Sequence, residues 1–256
     1  MGVKVLCGAV HGTCQARSWR RGSFPLSHLW ENTAVNARVE PCSDRALMVT
    51  LGREMSVEVH ERVRRLFLAL HNSPPAGVIN LHPAYASLLV DFDPLSTGFA
   101  AVAREIRALL EEPRATPALE SRQIEIPVCY GGEFGPDLED VAAHCGMGPD
   151  LVVSRHAATE YLVYFVGFSP GFPYLGGLDP ALAVPRLATP RRQVPAGSIA
   201  IGGAQTGVYP MASPGGWRII GRTPLRLFDP DRPPYALLAM GDRVRFRPIP
   251  AREFAL

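Results

Sequence analysis

Three Gly/Pro-rich knots between residues 161 and 223 constrain this chain more than any other feature. They read Gly167-Phe168-Ser169-Pro170-Gly171-Phe172-Pro173-Tyr174, then Pro195-Ala196-Gly197-Ser198, then Ser213-Pro214-Gly215-Gly216-Trp217. Each adjoins a short apolar run: Tyr161 to Val166 before the first, Ile199 to Ile201 after the second, Trp217 to Ile220 in and after the third. Short apolar runs bounded by Gly and Pro read as strands separated by tight turns. Glycine reaches positive φ or admits a close neighbour, while proline fixes φ and removes a donor. Three rigid turns decorated with aromatics exceed what strand punctuation needs. They are expected to line the mouth of a small closed barrel, and that mouth is the candidate site.

The rest of the composition narrows the classes of function. A chain of 256 residues with 47% hydrophobic and 20% charged residues can bury one large core or two smaller ones. The formal net charge of +2 comes without a dense basic run, which argues against nucleic acid as a partner. No apolar run is long enough to span a bilayer, so no membrane association is expected. Cys7, Cys14, Cys42, Cys129 and Cys145 show neither CxxC nor finger spacing, which points to free thiols in a reducing, cytoplasmic setting. No metal constellation is visible: His144 and Cys145 are adjacent on an expected helix without an obvious third ligand. Lys4 is the only lysine, so a Walker P-loop, a Schiff-base lysine and a biotinyl lysine in the folded part are all excluded. Any ATP or biotin chemistry would need another chain or a site of a different kind.

Taken in order, residues 1–37 show no hydrophobic period and read as a disordered or non-native tail, too broken for a signal peptide. Residues 38–121 read as an α+β unit. Ala46 to Leu51 is a strand, and Ser56 can cap a helix with Val59, Val63, Leu66, Phe67 and Leu70 on one stripe. Two strands follow, Val78 to Leu81 and Ser87 to Phe92, then a second helix with Phe99, Val102, Ala103, Ile106 and Leu110 inward. With Gln123 to Val128 as the last strand the order is βαββαβ, that of a ferredoxin-like sandwich. A charged linker, Glu111 to Arg122, is broken by Pro113 and Pro117. Residues 122–256 then turn to short strands and tight turns, the texture of a barrel.

The motif blocks carry a resemblance. His156-x4-Tyr161-x-Val163-x-Phe165-x-Gly167-Phe168-x-Pro170-Gly171-Phe172-x-Tyr174-Leu175 opens the series. Thr189-Pro190-Arg191, Val194-Pro195-Ala196-Gly197-Ser198 and Gln205-Thr206-Gly207-x-Tyr209-Pro210 continue it. Ser213-Pro214-Gly215-Gly216-Trp217-x-x-x-Gly221-Arg222-Thr223-Pro224 closes it. In this order the blocks resemble the KipI family, also described as the B-type subunit of 5-oxoprolinase or as allophanate hydrolase subunit 1. The resemblance covers Arg38 to the C-terminus and implies a cyclophilin-like β-barrel after about residue 122. It implies a hetero-oligomer with an A-type subunit and a C-type sister that carries a related barrel. Together they open 5-oxoproline to glutamate at the expense of ATP and its Mg. Two other roles are similar to members of the family: inhibition of a sporulation-type histidine kinase, and carboxyl transfer from biotin in urea or allophanate metabolism.

Candidate residues follow, each with a plainer alternative. His156 titrates near neutrality and is a candidate for proton chemistry; otherwise it caps the end of the preceding helix. Arg222 and Arg191 are candidate clamps for a carboxylate or phosphate, ahead of Arg192, and otherwise are surface charges. Gln205, Thr206, Tyr209 and Ser213 offer neutral hydrogen bonds to an amide or lactam, or simply serve their turns. Phe168, Phe172, Tyr174 and Trp217, with Pro170, Gly171, Gly215 and Gly216 shaping the turns, either wall a binding pocket or fill the barrel. No Gly-x-Ser-x-Gly elbow is present, so a serine-hydrolase triad lacks support. Limited proteolysis is expected to cut within Glu111 to Arg122 and release a stable C-terminal fragment; cleavage inside Ile199 to Ile220 instead would contradict the barrel.

Overall fold

A computed structural model describes residues 37–111 and 121–254. The expected tail, apart from Ala37, and most of the expected linker therefore lie outside the described residues. The N-terminal half is one antiparallel sheet under two helices. Its strands are β1 (Arg38–Ser43), β2 (Ala46–Thr50), β3 (Val78–Pro83) and β4 (Ser87–Phe92), ordered β1-β2-β4-β3. The helices are α1 (Val57–Asn72) and α2 (Phe99–Glu111). Ser56 caps α1, its Oγ accepting from the Val59 amide at 3.2 Å. Val63, Leu66 and Leu70 recur at helical spacing and pack with Val102, Ala103 and Ile106 of α2 onto Leu47, Val49, Leu88 and Val90 of the sheet.

One expectation for this half needs correction. The run expected as the last strand of a βαββαβ unit belongs to the barrel, where it forms β5 (Gln123–Tyr130). The fourth strand of the sheet is β1 instead, paired antiparallel with β2, so the order is ββαββα. The physical reason lies in what each run buries. β1 buries only Val39 and carries Pro41, as an edge strand permits, and so lacks the alternation that marks a strand. The Ile124, Ile126, Val128 alternation of β5 would suit a core-facing strand of either sheet.

The second half closes a seven-stranded barrel, consistent with the cyclophilin-like expectation. It uses β5, β6 (Glu160–Val166), β7 (Pro173–Gly176), β9 (Ser198–Ile201), β10 (Thr206–Val208), β12 (Arg218–Arg222) and β13 (Arg243–Pro248), in the order β10-β7-β6-β13-β5-β12-β9. Only the β5–β13 seam is parallel among these pairs. Two short helices, α3 (Leu138–Cys145) and α4 (Pro149–Ala158), lend Val141 and Val152 to the same core. β8 (Arg191–Val194) and β11 (Ser213–Gly215) form a separate two-stranded flap. Strand periodicity sorts the barrel wall: Ile199, Ile201, Val208 and Ile220 join the main core, while Ala200 and Ile219 join a second cluster beside Phe172 and Trp217.

The two halves meet through aromatic rings. Tyr164 of β6 lies edge-on to His60 of α1 (ring centroids 4.6 Å apart) and to Tyr85 of the β3–β4 turn (5.5 Å). Where the chain enters the barrel, Arg122 Nε donates to the buried Asp242 carboxylate at 3.0 Å. Gly176 makes room for the Tyr164 ring, since a Cβ there would fall within it. Gly176→Ala is expected to lower stability by ~1–3 kcal/mol through overpacking, read by urea denaturation; an unchanged midpoint would show that the ring moves aside freely.

Candidate functional site

The structure divides the candidate residues among three places. His156 lies in the barrel interior with no exposed surface. Its Nδ1 is 2.8 Å from the Tyr130 hydroxyl and its Nε2 is 3.0 Å from Thr206 Oγ1. Thr206 Oγ1 in turn donates to the Ala200 carbonyl at 3.1 Å. That last bond sets the direction of the whole chain. Thr206 spends its proton on Ala200, so it accepts from Nε2–H, and Nδ1 accepts from the Tyr130 O–H. The imidazole is therefore the neutral Nε2–H tautomer, and it packs on the Phe246 ring with centroids 4.7 Å apart. Burial pushes the His156 pKa down to about 3. Such a ring joins strands of the barrel wall; it is not placed to exchange protons with a ligand on the surface. It does stand in the last turn of the preceding helix, α4, as the plainer alternative has it, but it is buried and neutral there rather than a cation at the helix end.

The second place is an aromatic wall on the face of the barrel strands opposite the main core, and its rings Phe172, Tyr209 and Trp217 are buried in a second hydrophobic cluster. Phe172 is its hub, edge-on to Tyr174 (5.1 Å), Tyr209 (5.3 Å), Trp217 (5.7 Å) and Phe168 (5.5 Å). Gly207 is bare where Phe172 and Trp217 press on the strand, with a Cβ there falling 2.9 Å from the Phe172 ring. Gly215 likewise lets the Tyr209 hydroxyl through. Gly171, at φ 81°, brings the first knot onto Phe228, whose Cβ would lie 2.7 Å from a side chain there. Gly216 offers its carbonyl to the Leu187 amide at 2.7 Å. Phe168 is the one described non-glycine residue with positive φ (67°), and its ring is 66% exposed next to the exposed Pro170. Ser213 and Ser169 place buried hydroxyls without a protein partner behind this wall, so local turn bonds do not account for them.

Three neighbours of the wall were not singled out as candidates from the sequence. Tyr85 lies 5.9 Å from Tyr174 and 4.8 Å from Phe165, and its hydroxyl accepts from Gln205 Nε2. Desolvation raises the Tyr85 pKa to about 12. Arg186 sets its guanidinium 5.7 Å from the Trp217 ring centroid, a cation–π contact at the rim. Phe165 stands in the first motif block, just before a knot, and Tyr85 follows Pro83 and Ala84 between two expected strands; Arg186 had no such signal.

The third place separates the two expected clamps. Arg191 donates to Asp137 Oδ1 at 2.6 Å, and the other Asp137 oxygen takes the Ile219 amide at 2.6 Å. That arginine is neutralised and anchors the flap to α3. Arg222 instead faces a cavity of about 440 Å³ formed by the second knot and the Arg222-Thr223-Pro224 turn. Its Nε is tied to the Ala196 carbonyl at 2.8 Å, and no carboxylate pairs with it among the described residues.

The chain as a whole has relatives among known proteins. Residues 37–238 match the carboxyltransferase domain, subdomain C and D. The chain belongs to that family. Among its relatives, the B-type subunit of 5-oxoprolinase from Bacillus subtilis (strain 168) is 41% identical over 230 residues, covering 86% of this chain and 96% of that protein. The corresponding 5-oxoprolinase chain of Escherichia coli O157:H7, also of B type, is 46% identical over 218 residues, covering 85% and 97%. The solved structure of TTHA0988 superposes with a TM-score of 0.72 at 37% identity. It is matched over 81% of this chain, which spans 40% of TTHA0988's own length. The resemblance read from the motif blocks is borne out.

The buried histidines yield a pH prediction. Burial also lowers His60, to about 4, and neither of its ring nitrogens has a hydrogen-bond partner. Unfolded histidines titrate near 6.5, so below that pH the unfolded chain takes up protons that these folded rings refuse. Their contribution is fully present above about pH 6.5 and is lost as pH falls toward 3 to 4. Urea denaturation between pH 7 and 4 checks this. His60→Phe is expected to flatten the slope without cost at pH 7. His156→Phe is expected to cost ~1–3 kcal/mol at pH 7, because it strands the Tyr130 hydroxyl. Equal behaviour of the two variants would contradict the bonding assigned to His156.

Proposed function

We propose that this chain is the B component of an ATP-dependent 5-oxoprolinase, acting with an A-type subunit and a C-type sister to open 5-oxoproline to glutamate. The observation that carries this reading is the extent of the match. The B-type chains of Bacillus subtilis and Escherichia coli are covered over 96% and 97% of their own lengths, so both halves and their junction are shared. Kinase inhibition and biotin-dependent carboxyl transfer draw no comparable support from these relatives. A cytoplasmic location is part of the same proposal. No helix among the described residues is long and apolar enough to cross a membrane.

The reaction breaks an unactivated lactam amide, for which ATP hydrolysis elsewhere in the complex would supply the driving force. The donor set of this chain does not fit a self-contained Mg–ATP site. The described residues hold no lysine and no group of three His, Cys, Asp or Glu side chains arranged for a cation. No step is therefore assigned to ATP on this chain. The part left to its own residues is binding and orientation. Phe172, Tyr209 and Trp217 are buried packing, so the part of the cluster open to a ligand or a partner's side chain is half-buried Tyr174 with Gln205 and Arg186 at its rim. The exposed, left-handed Phe168 suits contact with another protein chain better than a monomer's surface.

The test is reconstitution. The purified chain alone is expected to release no glutamate from 5-oxoproline with Mg–ATP, and co-expression with A- and C-type subunits is expected to restore turnover. Turnover by the single chain would overturn the multi-chain reading. Failure of the assembled set to act on 5-oxoproline would overturn the oxoprolinase reading.

A further inference from the structure

The cavity at Arg222 has a composition that restricts what can occupy it. One wall is rigid backbone. Gly197, at φ 80°, donates its amide to the Tyr209 carbonyl at 2.7 Å and accepts from the Thr223 amide at 2.9 Å. A side chain at Gly197 would collide with the Thr223 carbonyl, so the two motif blocks touch only because this position is bare. Thr223 is buried and its Oγ1 accepts from the Leu225 amide at 3.2 Å, which fixes the turn below. Apart from two arginines, the remaining lining is apolar: Ala196, Pro210, Pro224, Leu225 and Phe254.

Two guanidinium groups border this space, and they differ. Arg226 is paired with Asp229 at 3.2 Å and donates to the Phe228 carbonyl at 3.1 Å. Arg222 is held on one edge by Ala196 and covered on one face by Phe254, whose ring centroid lies 5.6 Å from the guanidinium carbon. Phe254 itself packs on Phe134 at 4.4 Å, so this face is braced from the α3 side. The Nη groups of Arg222 have no acceptor among the described residues. A fork fixed along one edge and one face, with its other edge unspent, matches the two oxygens of a carboxylate. Arg226, the other cation here, is 64% exposed and shares its charge with Asp229 in a weak surface pair, which leaves Arg222 the better-fixed anion site.

We propose that this cavity binds the carboxylate of a small monoanionic acid at Arg222, with a compact uncharged ring packed among Pro210, Pro224, Leu225 and Phe254. On the oxoprolinase reading, which this assignment to a substrate rests on, the acid is 5-oxoproline itself, a five-membered lactam with one carboxylate. The site is distinct from the aromatic wall, and Phe254 both covers one face of the Arg222 guanidinium and lines the space for the ring.

Titration calorimetry on the full chain, and on the assembled complex, tests it. The probes are 5-oxoproline, its methyl ester, cyclopentanecarboxylate and inorganic phosphate. Both acids are expected to bind at millimolar concentrations, and the ester and phosphate about tenfold more weakly or not at all. Arg222→Met is expected to lose about tenfold or more in acid binding, with Arg222→Lys between it and the parent chain. Should Arg222→Met fail to fold, Leu225→Trp narrows the cavity without touching the fork and is expected to weaken binding similarly. Preference for phosphate, equal binding of ester and acid, or acid binding indifferent to both variants would overturn the proposal. Acid binding through Arg222 in a complex that does not turn over 5-oxoproline would leave the site standing and remove the oxoprolinase reading. Turnover unaffected by Arg222→Met would do the reverse.

Discussion

The junction between the halves depends on one bare position. Because Gly176 lacks a side chain, the Tyr164 ring can lie against β7 and still reach His60 and Tyr85 on the other side. Tyr85 then carries the contact onward to Phe165 and Tyr174, and through Tyr174 to Phe172 and Trp217. The aromatic wall is therefore continuous with the interface between halves. This gives the first half, whose fold alone says little about activity, a physical reason to accompany the barrel.

The same strands serve three environments because side chains alternate along them. On β10, Thr206 points inward to His156, and Gly207 leaves space outward for Phe172 and Trp217. On β12, Ile220 enters the main core, Ile219 joins the outer cluster, and Arg222 reaches the cavity at the strand's end. A single-residue register slip in either strand would exchange interior for surface and dissolve all three places together. The Gly/Pro knots hold that register. The first two end or start a strand at a backbone conformation that few other residues accept, as Gly171 and Gly197 show.

Much of this was legible in the sequence, for local reasons. The Ser56 cap, the α1 stripe and the Gly/Pro knots act over a few residues, and their signals survive in the order of residues. The edge strand β1 did not announce itself, because it buries one side chain and has no core-facing alternation to display. β5 displayed alternation that fits two sheets equally, and only its pairing with β13, more than a hundred residues later, decides between them. The candidate residues divide the same way. Their motifs were readable, but the partners that fix their roles are distant in the chain. Asp137 neutralises Arg191, Tyr130 and Thr206 enclose His156, and Phe254 covers Arg222. Residue type and spacing named these side chains; long-range contacts assign what they do.

The parallel seam has a consequence for how such a chain is made. β5 is the first barrel strand to be synthesised and β13 the last, yet they lie side by side from Gln123↔Arg243 to Val128↔Pro248. Until the final strand leaves the ribosome, the barrel has two open edges, each a row of unpaired amides and carbonyls. The N-terminal sheet, whose core draws almost wholly on residues before β5, can form well before that moment. A chain shortened by a premature stop near residue 240 would thus present a folded first half joined to an unclosed sheet. Quality-control proteases would meet that species as a substrate, although all the barrel strands before β13 are present.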